Sequence, residues 1–232
     1  MNLIYIILIA VGVLVLFILF GLAIVNKSGE ELLDKFNDTA KYSTSITPLQ
    51  FANNISNTFF HGSIKISFKP NLLSDCFSSD GRLIISSKYA NEYHLAGLAV
   101  VAHELGHAFQ FAKQRDKMNK HAKKLNLSKI LSRFTSPLFI AGIVLLCFGY
   151  YIFASVAGAL AITFLILAVS VKMSTVKIEK EASAIALNLL KDMANLDEHQ
   201  LKIAKKFLDS AKLTYIADLL KIMLKWTGFT RR

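Results

Sequence analysis

Apolar and polar positions are segregated into blocks along this chain. Leu3 to Val25 is an unbroken apolar run. At ~1.5 Å per residue a helix of that length crosses a ~30 Å hydrocarbon layer. Only Asn2 precedes the run, and Phe17 to Val25 stays bulky. The basic n-region and small-residue cleavage site of a removable leader are therefore missing, and a retained membrane anchor is expected. A polar stretch follows to about Arg133, and Pro137 to Val171 then carries no charge at all. That second run exceeds one ordinary span and suits either two short spans, turning near Gly149 to Ser155, or a re-entrant hairpin.

Inside the polar stretch the periodicities change. Glu30 to Tyr42 is mixed in charge and continues helically from the anchor. Thr47, Pro48 and Gln50 form a capping-box pattern for a second helix, with Leu49, Ala52, Asn53 and Ile55 or Ser56 as its modest apolar face. Ser63 to Phe68 alternates as a half-buried strand, Asp80-Gly81 signals a turn, and Arg82 to Ser86 is a second strand. A long helix runs from Asn91 or Glu92 to about Lys113. Beyond the uncharged run, Ser174 to Met193 and Asp197 to Ser210 read as helices, and Leu213 to Trp226 as an amphipathic helix on a membrane surface. The expected fold is mainly α with a small β element, an α+β catalytic unit joined to transmembrane helices. Its expected divisions are an anchor (1–25), a cytoplasmic catalytic unit (26–135), a transmembrane hairpin (136–172) and cytoplasmic helices (173–232).

Composition sharpens this picture. The 232 residues are 53% hydrophobic, yet the net charge is +11. An ordinary soluble domain is nearer ~45–50% apolar. The two cysteines, Cys76 in polar surroundings and Cys147 in an apolar run, make neither a disulfide framework nor a cysteine zinc site. Lys113, Arg115, Lys117, Lys120, Lys123, Lys124, Lys129 and Arg133 face only Asp116 in sign. No aromatic residues are interleaved to stack bases, so nucleic acid is not expected as a partner. Basic residues flanking apolar spans mark the cytoplasmic side. With Lys172, Lys177 and Lys180 closing the hairpin, the expected partner is the lipid bilayer of the cell membrane, N-terminus outside and the polar unit inside.

The chemistry is carried by His103-Glu104-Leu105-Gly106-His107. Residues four apart share a helical face, so both imidazoles can reach one metal ion, while Glu104 lies one residue further round, placed to take a proton from the attacking water. Glu104 is the one Asp, Glu, Lys or Arg between Ala96 and Gln110, and an ionised carboxylate on an apolar helix is costly without a purpose. A catalytic zinc needs a third protein ligand. Gln110 and Lys113 stand where metzincins would place Gly and His. A later glutamate, Glu179 or Glu181, is the other source. These two lie on roughly opposite faces of one helix; Ala182, Ser183 and Ala186 on the Glu179 side permit close helix approach, which favours Glu179. A solvated charged face beside Lys177 and Lys180 is the competing reading of both. His61, His94, His121 and His199 read as surface or structural residues.

In order along the chain, Leu73-Ser74-Asp75, Leu83-Ile84-Ile85-Ser86, the Val101–Gln110 motif, Glu179-x-x-Ala182-Ser183 and Leu213-Thr214-Tyr215-Ile216-Ala217 resemble the bacterial membrane-associated neutral zinc metallopeptidases, the YugP-like family. The resemblance covers nearly the whole chain. It implies a gluzincin-type centre, with His103, His107 and Glu179 as zinc ligands, Glu104 as general base and a protein or peptide as substrate. Departures are Cys76-Phe77-Ser78-Ser79 where the family has His-Tyr-Asp-Pro, Lys180-Glu181 where it has Phe-Asp, and charges at Asp218, Lys221 and Lys225 in its usual last span. The rivals are a membrane scaffold with a structural or vestigial zinc site and a zinc hydrolase acting on a non-protein amide.

Overall fold

The computed structural model describes residues 30–71, 76–78 and 80–210, with Ala23 and Lys27. The Leu213 to Trp226 helix and all of the Leu3 to Val25 run but Ala23 lie outside the described residues. The chain is mainly helical with one small sheet. It divides into two units: Glu31–Lys120 with Val176–Lys212, and a second to which His121–Thr175 belong.

In the first unit, helix α1 occupies 30–40. Helix α2 (Pro48–Phe60) begins at the expected capping box: the Gln50 N–H donates to Thr47 Oγ1 (3.2 Å) and the Thr47 N–H to Gln50 Oε1 (3.0 Å). Its buried face is Pro48, Phe51, Ala52, Ile55 and Ser56. Phe51 is thus at the centre, and Asn53, expected on that face, is exposed. The i, i+3, i+4 spacing about Phe51 buries more apolar area than a stripe through Asn53. His61 ends α2 in a left-handed conformation (φ 51°).

Strands β1 (Lys65–Lys69), β2 (Cys76–Phe77) and β3 (Arg82–Ser86) form a sheet of order β1-β3-β2, the first pair parallel and the second antiparallel. The second expected strand coincides with β3. The first begins two residues later than expected, with Lys65 opposite Arg82, and β2 was not expected at all. Gly81 (φ 80°) makes the turn into β3. Helix α3 (Leu95–Lys113) starts later than expected because Tyr93 and His94 are engaged elsewhere: the Thr44 N–H donates to the Tyr93 carbonyl, and His94 pairs with Ser43. The core, including Phe51, Ile55, Leu83, Ile85, Leu98, Val101, Leu105 and Leu190, lies among α2, α3, the sheet and the end of α5.

Helices α4 (Arg115–Cys147) and α5 (Tyr151–Met193) are longer than expected. The basic run and the apolar run are one helix, and the glutamate-bearing segment continues another. The turn between them is Phe148–Tyr150, with Gly149 at φ 80°, earlier than the Gly149 to Ser155 expected. Both helices are long and apolar enough to cross a membrane. In the second unit the Ser128 hydroxyl donates to the Ala168 carbonyl (3.0 Å), while Phe148, Ile152 and Phe153 stay largely exposed. Helix α6 (Glu198–Ser210) opens on Asp197, whose carboxylate accepts from the Gln200 N–H (2.6 Å).

Candidate metal centre

Helix α3 carries two functions on one cylinder. Leu95, Leu98, Ala99, Val101, Ala102, Leu105 and Ala108 bury its apolar side. Its N-cap is His94, whose Nδ1 accepts from the Gly97 N–H (3.0 Å). Burial lowers the His94 pKa, which keeps the ring neutral and that lone pair free to accept. His94 is therefore structural, as expected. His61 caps α2, and His199 packs its ring against Tyr42.

One side of α3 is opened to another helix by Gly106. A Cβ there would lie 3.0 Å from the carbonyl carbon of Ala182 and against its oxygen. The glycine lets the Glu179–Ser183 segment of α5 approach at backbone distance, with Ala182 and Ser183 buried. Glu179 Oε2 then lies 3.1 Å from His103 Nε2 and 3.3 Å from His107 Nε2. One ligand atom from each of the three side chains falls within 4.8 Å of the others. Ligand atoms placed tetrahedrally ~2.0–2.1 Å from zinc are separated by ~3.3 Å, so the spacing and the nitrogen-and-oxygen donor set both fit that ion. All three side chains are about 15% exposed, shielded yet reachable.

The outer ring nitrogens are also engaged. His107 Nδ1 is 2.9 Å from Gln110 Oε1, and His103 Nδ1 is 3.2 Å from Ser183 Oγ. Glu104 lies beside the cluster and accepts from the Phe77 N–H (2.8 Å). Burial pushes the Glu104 carboxyl above its ordinary range, although the charges of His107 and His103 oppose the shift. Glu179 moves the other way. Burial would raise it, but hydrogen bonds from His103 and His107 prevail and hold it well below the usual carboxylate range. His107, despite burial, is pushed up to about 9, chiefly by its hydrogen bond to Glu179 and the Glu104 charge.

The structure thus brings His103, His107 and Glu179 together with Glu104 alongside. Glu181 lines a different cleft, with Gln110, Lys113 and Ile185. Sequence reasoning missed Gln110, Ser183 and the Phe77 amide. The i+3 spacing of Gln110 from His107 was a usable signal, as was the i+4 spacing of Ser183 from Glu179; the Phe77 contact had none.

Fold and cluster together define a mainly helical chain with a two-histidine, one-glutamate set able to hold a metal ion. The chain belongs to the neutral zinc metallopeptidase family: residues 5–230 match the family model described as "Putative neutral zinc metallopeptidase". No curated protein and no solved structure matches it. The family implies a peptidase and zinc, in agreement with the sequence-based expectation at that level.

Proposed function

We propose that this chain is a membrane-bound, zinc-dependent endopeptidase with a zincin-like site, in which His103, His107 and Glu179 hold the metal and Glu104 is the general base. The observation that carries the proposal is the unshared carboxylate: Glu104 stands beside the cluster while Glu179 serves within it. A purely structural site needs no such base. Bound there, zinc supplies Lewis acidity toward the scissile carbonyl and acidifies a water. Glu104 would be the group that takes a proton from the attacking water and returns it to the leaving amine. The Phe77 N–H fixes the carboxylate's direction, and burial raises its basicity above that of an ordinary carboxylate. Strand β2 is an edge of the sheet next to Glu104, so an extended peptide laid beside that edge would lie against the carboxylate.

Membrane attachment is supported by the two long apolar helices and their exposed aliphatic and aromatic side chains. The basic residues at the polar ends of these helices support a cytoplasmic site. The substrate class is a protein or peptide, with membrane proteins the nearest at hand.

Zinc per chain in the detergent-purified protein tests the reading first. About one ion is expected in the wild type and a large loss in Glu179→Ala. Glu104→Gln should keep the ion and lose turnover of a cleaved substrate by several orders of magnitude. A Glu104→Gln variant as active as the wild type would end the general-base assignment.

A further inference from the structure

The side chain of Gln110 touches both sides of the centre without being a ligand. It is buried (7% exposed). Its Nε2 donates to the Ile178 carbonyl on α5 (2.8 Å), and its Oε1 lies 2.9 Å from His107 Nδ1. A carbonyl oxygen can only accept, so the contact with Ile178 fixes which end of the amide is nitrogen. The oxygen is then turned toward His107. Because an amide oxygen also only accepts, the imidazole must carry a proton on Nδ1. Nε2 is consequently the nitrogen left to bind metal, and it is the one that faces Glu179. Ile178 immediately precedes Glu179, so the same amide ties the histidine's ring to the backbone that delivers the third ligand.

We infer that Gln110 is a positioning residue, which selects the metal-binding tautomer of His107 and sets the placement of Glu179 against it. The inference rests on the proposed zinc site. Outer partners of metal-bound histidines hold ring orientation and typically contribute 10–100-fold to metal affinity. Here the partner is an amide, whose two ends do two different tasks.

The test uses the full chain in detergent and zinc alone as the probe, its dissociation constant measured against a chromophoric chelator. Gln110→Met keeps length and apolar volume but offers neither hydrogen bond. Zinc binding about 10–100-fold weaker is expected. Gln110→Glu keeps an oxygen for the Nδ1 proton but not the donor to Ile178. It is expected to recover part of the zinc affinity, the shortfall from the wild type reading the lost tie to the Ile178 carbonyl, while melting, metal-free, below the wild type. Wild-type zinc affinity in Gln110→Met overturns the inference, as does Gln110→Glu binding as weakly as Gln110→Met; either result would leave Gln110 a packing residue. A wild type that takes up no zinc overturns the metal reading itself, which separates the two failures. If Gln110→Met does not fold, nitrogen-15 spectra of the zinc-loaded wild type decide. A proton on Nδ1 of His107 and a ligated Nε2 are expected; a ligated Nδ1 overturns the inference.

Discussion

At the scale of single residues, the proposed centre sets a proton and a metal in competition for one nitrogen. Without metal, the His107 imidazolium, with its pKa near 9, sits against an ionised Glu179. Zinc must displace that proton, so apparent zinc affinity should rise about tenfold per pH unit from about pH 7 and flatten above about pH 9. Calorimetry in two buffers of different ionisation enthalpy reads the proton released; no release at neutral pH would contradict the pairing. The stability of the metal-free protein follows the same linkage. A folded-state pKa raised above the ordinary 6.5 gives stabilisation that is complete below the unfolded value and lost as pH rises through about 9. The depressed Glu179 gives stabilisation lost as pH falls into the acid range. Melting of the metal-free protein should therefore weaken at both ends.

At the scale of elements, α3 and α5 meet where a side chain is missing. Gly106→Ala gains about 1 kcal/mol of helix propensity, but its Cβ would press on the Ala182 backbone, which has no rotamer with which to yield. Overpacking of this kind costs about 1–3 kcal/mol. The net expectation is a modest loss of stability with a larger loss of zinc affinity, because Glu179 is carried away with the displaced backbone. Gly158→Ala, inside α5 where nothing lies within 4 Å, should keep the propensity gain unopposed and leave zinc affinity unchanged. Equal zinc affinity in Gly106→Ala and the wild type would mean the close approach is not needed.

Local chemistry was readable at this scale and distant pairing was not. Thr47 and Gln50 satisfy each other three residues apart, so the start of α2 was legible. The alternation of Arg82 to Ser86 made β3 legible as well. Cys76–Phe77 is too short to show alternation, and it is a strand only because β3 lies beside it. The extra length of α4 and α5 was hidden by the change from charged to apolar composition, which alters the surroundings of a helix without ending it. His94 was missed as a cap because its ring nitrogen does what an oxygen ordinarily does. The part of the candidate metal cluster made by His103 and His107 was legible from spacing. For Glu179 the reading leaned on small neighbours, since the contact with α3 spans 76 residues of sequence.

At the scale of the molecule, the proposed topology is a matter of which side each polar end occupies. Reporters fused before Met1 and after Arg232 should place the N-terminus outside and the C-terminus in the cytoplasm. An external C-terminal reporter would reverse the assignment of the site. The hairpin turn at Phe148–Tyr150 belongs, on this reading, at the far face of the bilayer, where Tyr150 and the adjoining Tyr151 suit the interface.

Glu179 follows both histidines by the whole length of α4 and most of the apolar part of α5. During synthesis, a chain that has released α3 owns two of its three proposed ligands and an incomplete cradle for the metal. The last ligand arrives only after the hairpin has been made. A copy cut short before α5 therefore carries the motif but not the means to hold its ion firmly, and the hydrolytic power proposed here is withheld until α5 has been made.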